Sequence, residues 1–197
     1  MGRILVLLAL LLSWGASGQE AAVLPADQSV VLDGEPYQVA RQVPAGPGDL
    51  AIDFLRIEES FEQWTRKVGF RRHQLPQLGN DPVRAAMDLG RVARKLYPES
   101  QPRLIVTDDK AEAILDFLAR LPGGGLELNV IRYVRSLDGR AVVSLVFVHR
   151  FPDGADKDAA DRLRDLRRSW VQQAVAADMG AVQAAMRVDP SRAAPGR

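Results

Sequence analysis

Residues 126–151 read LELNVIRYVRSLDGRAVVSLVFVHRF, and the fold turns on how this stretch divides. Two apolar-rich runs, Leu126 to Arg135 and Ala141 to Phe151, flank Ser136-Leu137-Asp138-Gly139. That connection places glycine where a tight reversal needs positive φ. In the second run Val143, Leu145, Phe147, His149 and Phe151 fall on one side of a two-residue alternation. The pattern predicts an antiparallel hairpin at the centre of a sheet.

Working outward, Arg103 to Thr107 is a further strand candidate. Lys110 to Leu121 fits two periods at once. Ala111, Ile114, Leu115 and Leu118 have helical spacing, whereas Ala113, Leu115, Phe117 and Ala119 alternate, and the local signal favours a helix. Asp49 to Glu58 alternates as a strand. Ser60 with Gln63 fits a capping box, so Phe61, Trp64 and Val68 are expected as the buried stripe of a short helix ending near Gly69, with a strand resuming over Phe70 to Leu75. Asp81-Pro82 opens a longer helix, since Asp caps and Pro loses no bond at the first position. Ala86, Leu89, Ala93 and Leu96 form its apolar face, and Pro98 ends it. Asp156 to Asp178 is a second amphipathic helix with Leu163, Leu166, Trp170 and Ala174 inside. Upstream, Ser29 to Leu32 and Tyr37 to Val43 are short β runs around Asp33-Gly34, and Pro44 to Gly48 breaks regular structure.

The chain begins Met1-Gly2-Arg3, followed by an apolar run from Ile4 to Leu12 and then Gly15-Ala16-Ser17-Gly18. A charged start, an apolar stretch and small residues are the order of a cleavable signal peptide. The expected cut is near Gly18-Gln19, which makes the mature protein periplasmic or secreted. Spanning a bilayer takes about 20 apolar residues, so no membrane span is expected after cleavage. The chain has no cysteine, which excludes a lipid anchor on cysteine, disulfides and thiolate metal sites. Formal charge is +1 with acids and bases intermixed, unlike the basic stripe of a nucleic-acid binder. The expected layout is a signal peptide over 1–18, a lead-in with a short hairpin over 19–48, one domain over 49–179 and a flexible tail over 180–197.

Little of the sequence carries recognisable chemistry. Only His73 and His149 could serve as an imidazole base. His149 is the catalytic candidate, but a histidine without a placed nucleophile defines no triad, so a half-buried ring bonded to its neighbours is the simpler reading. His73 lies in Arg71-Arg72-His73, read as a solvated cationic face. Two histidines on separate elements make no zinc site. The run Asp153 to Asp158 lacks the ligand spacing of a calcium loop. Gly123-Gly124-Gly125 lacks the lysine and helix start of a phosphate loop. No metal or cofactor is expected. Trp64, Glu59 and Glu62 are candidates for a partner-facing region, although acids in a first turn also serve the helix dipole.

The run FLRIEESFEQWT at 54–65, with ILDFL at 114–118 and ELNVIRY at 127–133, resembles a group of uncharacterised exported proteobacterial proteins similar to the PsbP-like α/β/α sandwich, from about Asp49 to Met179. The resemblance implies an α+β fold with a central antiparallel sheet and helices packed on both faces. It also turns the reading of 110–121 to a strand, and it implies no catalytic residues. The expected function is that of a non-enzymatic periplasmic accessory or binding protein, its partner an envelope protein or a small ligand. The alternative is a small periplasmic hydrolase with His149 as base.

Overall fold

A computed structural model describes residues 29–32, 34–46, 48–122, 124–151 and 159–186. The expected signal peptide, the acidic run 153–158 and the end of the chain from 187 lie outside the described residues. In chain order the elements are β1 (Ser29–Leu32), β2 (Glu35–Gly46), β3 (Asp49–Arg56), β4 (Arg66–His73), α1 (Pro82–Leu96), β5 (Arg103–Val106), β6 (Glu112–Arg120), β7 (Leu126–Arg135), β8 (Val142–Phe151), α2 (Ala159–Ala176) and α3 (Met179–Ala185). The eight strands form one sheet in the order β1-β2-β3-β4-β8-β7-β6-β5, every neighbour antiparallel.

The central hairpin forms where its alternation places it, with Val134 opposite Val143 and Val130 opposite Phe147. Its turn is tied by Ser136 N donating to Ala141 O at 3.0 Å, and Gly139 takes φ +68°. Asp138 accepts from Ser136 Oγ at 2.6 Å and Arg140 N at 3.0 Å.

Residues 112–120 form a strand, β6. Both periods fitted because both sides of β6 are covered, with Ala113, Leu115, Phe117 and Ala119 on one and Ile114 on the other. Local chemistry decides for a turn before it. Asp109 accepts from Thr107 Oγ1 at 2.6 Å and Ala111 N at 2.9 Å, and Lys110 takes φ +57°.

The helix expected over Ser60 to Gly69 does not form. Residues 57–65 are a loop, and β4 begins at Arg66. Glu59 closes that loop by accepting from Arg56 Nη2 at 2.8 Å, Thr65 N at 2.8 Å and Thr65 Oγ1 at 2.6 Å. Arg71-Arg72-His73 is likewise no solvated face, for all three side chains are buried. Strand alternation sends Arg71 to Asp53 on one face and Arg72 to Asp138 on the other.

These changes correct the fold class. The α/β/α sandwich with helices packed on both faces is not what the chain forms. Among the described residues it is a single eight-stranded antiparallel sheet, mostly β, with strand at 44% against helix at 28%. The physical reason is local: the stretch read as a helix supplies β4 instead, and β1 and β2 pair into the same sheet across residue 48. Helix packing is slight. Helix α1 lies over β5 to β8, and α2 and α3 lie chiefly over β7 and β8, leaving β1 to β4 with little helical cover.

Two apolar clusters result, one per sheet face. On the first, Phe54, Val68, Phe70, Leu145 and Phe147 meet Trp170 and Ala174 of α2 and Met179 and Val182 of α3. On the second, Leu115, Phe117, Ile131 and Val146 meet Ala86, Leu89 and Ala93 of α1. Asp81 caps α1 as its sequence predicts, accepting from Arg84 N at 2.9 Å ahead of Pro82.

Candidate functional site

A broad sheet with few helices leaves apolar surface that the described helices do not cover fully. On the first face this shortfall opens a cleft of about 910 Å³. Its floor is Phe54, Val68, Phe70, Leu145 and Phe147, with the Phe54 and Phe70 rings tilted at 4.8 Å between centroids. Its wall is the α2–α3 corner, where Ala176, Ala177, Ala181, Ala184 and Ala185 face the space. Side chains this short leave the gap that larger ones would fill. Val30 and Val31 form the rim, and Val31 is 72% exposed. The polar groups at the border are Ser29, Gln173 and Asp178. A concave apolar space of this size with a few polar groups is the form of a small-molecule site.

The wall is held in place from the sheet. Arg132 Nη1 on β7 donates to the carbonyls of Ala174, Val175 and Ala177 at 2.8–2.9 Å. Those carbonyls belong to the end of α2 or follow it, where helical partners run out and a cation suits the dipole. Glu112 on β6 orients the guanidinium, accepting from Arg132 Nε at 2.8 Å. Asp178 then starts α3 by accepting from Gly180 N at 2.9 Å and Ala181 N at 3.2 Å. One arginine and one aspartate therefore fix the corner.

The residues singled out from sequence lie apart from this cleft's lining. His149 stands half-buried on the first face, its ring edge-on to Phe151 at 4.2 Å and to Trp170 at 5.9 Å between centroids. Arg66 Nε donates to its Nδ1 at 3.3 Å. A neutral imidazole that accepts at Nδ1 carries its proton on Nε2. Trp64 is buried on the second face, with Arg150 Cζ 3.7 Å and Lys67 Nζ 4.6 Å from its ring centre. Glu59 is spent on closing the 57–65 loop, and Glu62 is exposed on that loop.

Beneath Trp64 lies a group of charged residues that sequence reasoning missed. Asp53 and Arg71, both almost fully buried, are ion-paired, and Arg71 Nη1 donates to Ile52 O at 2.8 Å. Burial would raise the Asp53 carboxyl, but Arg71 and Lys67 outweigh it and hold it below the usual carboxylate range. Burial pushes the Lys67 ammonium down, only partly offset by Asp53. Glu127, fully buried, accepts from Arg150 Nε at 3.0 Å. Gly69 makes room for this arrangement. A Cβ there would stand 2.7 Å from Arg71 Nη1. Among the described residues no group of three His, Asp or Glu could hold a metal ion, and no helix is long and apolar enough to cross a membrane.

A family model matches residues 24–179. The chain belongs to that family, an uncharacterised one. Neither a curated protein nor a solved structure matches the chain. The family segment includes all eight strands, α1 and α2, hence the cleft floor and Arg132, while most of α3 follows it. The alanine run at 174–185 was the one signal in the sequence that could have found the wall, and it shows only as a loss of large side chains after Trp170.

Proposed function

We propose that this member of the family is an exported, non-enzymatic binding protein of the cell envelope whose cleft takes a hydrophobic small ligand. The observation that carries the reading is the apolar cleft of about 910 Å³ between the phenylalanine floor and the alanine wall. Its volume lies in the range of roughly 300–1,000 Å³ usual for small-ligand sites. The border groups Ser29, Gln173 and Asp178 suit a ligand with an apolar body and a polar end. Export is supported by the order of charged, apolar and small residues over 1–18. The hydrolase alternative has no comparable support, because Nδ1 of His149 is engaged by Arg66.

The test uses the chain from Gln19 onward and N-phenyl-1-naphthylamine, a dye that brightens in apolar surroundings. The reading expects saturable brightening, weakened roughly tenfold or more by Ala177→Phe, which fills the cleft from its wall. Absence of saturable binding, or equal binding by the filled variant, would overturn it.

A further inference from the structure

We propose that the free edge of β5 docks an acidic, extended segment of a partner protein, added to the sheet as a further strand. Strand β5 ends the sheet order, so among the described residues its outer edge pairs with no strand. Natural sheets blunt such edges with charge, proline or cover. Strand β5 is short and opens with Arg103 after Pro102, yet Leu104 and Ile105 are 39% and 48% exposed and leave apolar side chains open beside its free edge.

What flanks the edge selects the partner. On one face a groove of about 990 Å³ separates β5 from α2 and is lined by Arg103, Arg164, Arg167 and Arg168. On the other face a groove of about 550 Å³ separates β5 from α1 and is lined by Arg84, Arg91 and Arg94. Asp88 pairs with Arg91, and the buried Asp116 is shared between Arg103 and Arg167. Arg168 makes no ion pair among the described residues. Arg167 is pushed down to about 10, by burial first and by neighbouring Arg103 second. An incoming carboxylate relieves that crowding.

Successive side chains of a strand point to opposite faces. A segment with acids at adjacent positions therefore sends one into each groove while its backbone pairs with β5. A compact anion reaches only one groove at a time. This geometry favours an acidic strand over a free phosphate or a lipid headgroup.

The test is fluorescence anisotropy of a labelled peptide of about eight residues, valines and adjacent glutamates, against the chain from Gln19 onward. Saturable binding is expected, weakened roughly tenfold by Arg168→Gln and by Arg103→Gln. A central proline in the peptide, which removes a main-chain donor, should abolish it, as should lysine in place of glutamate. No binding to the glutamate peptide overturns the proposal, as does equal binding by both arginine variants. Equal binding of the proline peptide, or displacement by tripolyphosphate at equal concentration, also overturns it by showing a compact anion site. Because N-phenyl-1-naphthylamine reports on the cleft, its binding should not change in either arginine variant.

Discussion

Asp53 and Arg71 show how a single buried contact sets the geometry around it. Their pairing takes two charges out of water, and the Coulomb attraction repays that only while both are present. Asp53→Asn should therefore lower unfolding stability by about 3–5 kcal/mol, the cost of an uncompensated buried arginine, measured by urea denaturation. Lys67 behaves differently. Burial disfavours its charged form, and its described partners are the Trp64 ring and charges that are not hydrogen-bonded to it. Lys67→Met should leave stability unchanged or raise it by about 1–2 kcal/mol. A loss as large as that of Asp53→Asn would contradict this account of the pair. Arg132 is the residue on which the cleft depends. Arg132→Ala removes the donor to three carbonyls at and just beyond the end of α2. It should cost about 3 kcal/mol and should raise hydrogen exchange at the amides of 174–181 above that elsewhere in α2.

At the scale of elements, the hairpin β7–β8 and helix α1 were legible because their signals are local. Gly139 supplies the positive φ that the turn requires, and Gly139→Ala should cost about 1–2 kcal/mol, read as a lower denaturation midpoint. Asp81 and Pro82 similarly mark the start of α1 by chemistry within one turn. Strand β4 was legible only in its second half, where a strand was expected from Phe70, and the reason its first half was not is physical. Its inward residues on the second face are Lys67, Gly69 and Arg71, which look like an exposed side until Asp53, on a neighbouring strand, pairs with Arg71. A capping-box pattern at Ser60 then outweighed a strand whose alternation was hidden by buried charge. Helix α3 was missed for a related reason. Its alanines show no strong apolar period, and its burial rests on Met179, Val182 and Met186 meeting the sheet.

At the scale of the whole molecule, the large sheet and its scarce helices explain both the cleft and the open edge. No local pattern encodes either, since each is defined by where helices fail to cover strands. The same global pairing of carboxylates sets the response to acid. Asp53 titrates below its usual value in the fold, and Asp138, held by Ser136 and the Arg140 amide, falls to about 2. Groups with depressed folded values stabilise the protein fully above the unfolded value and lose that contribution as pH falls through the folded one. The urea midpoint should therefore be flat with respect to these groups above about pH 5 and should fall below about pH 4. Asp53→Asn should flatten part of that acid limb.

The most direct test of the central claim is a titration of methyl-labelled protein with dodecanoate, followed by NMR. The account predicts saturable shifts at Val30, Val68, Leu145 and Val182, which line the cleft, with Leu115, Ile131 and Val142 on the opposite face unmoved. Unchanged cleft methyls, or shifts centred on the opposite face, would contradict it.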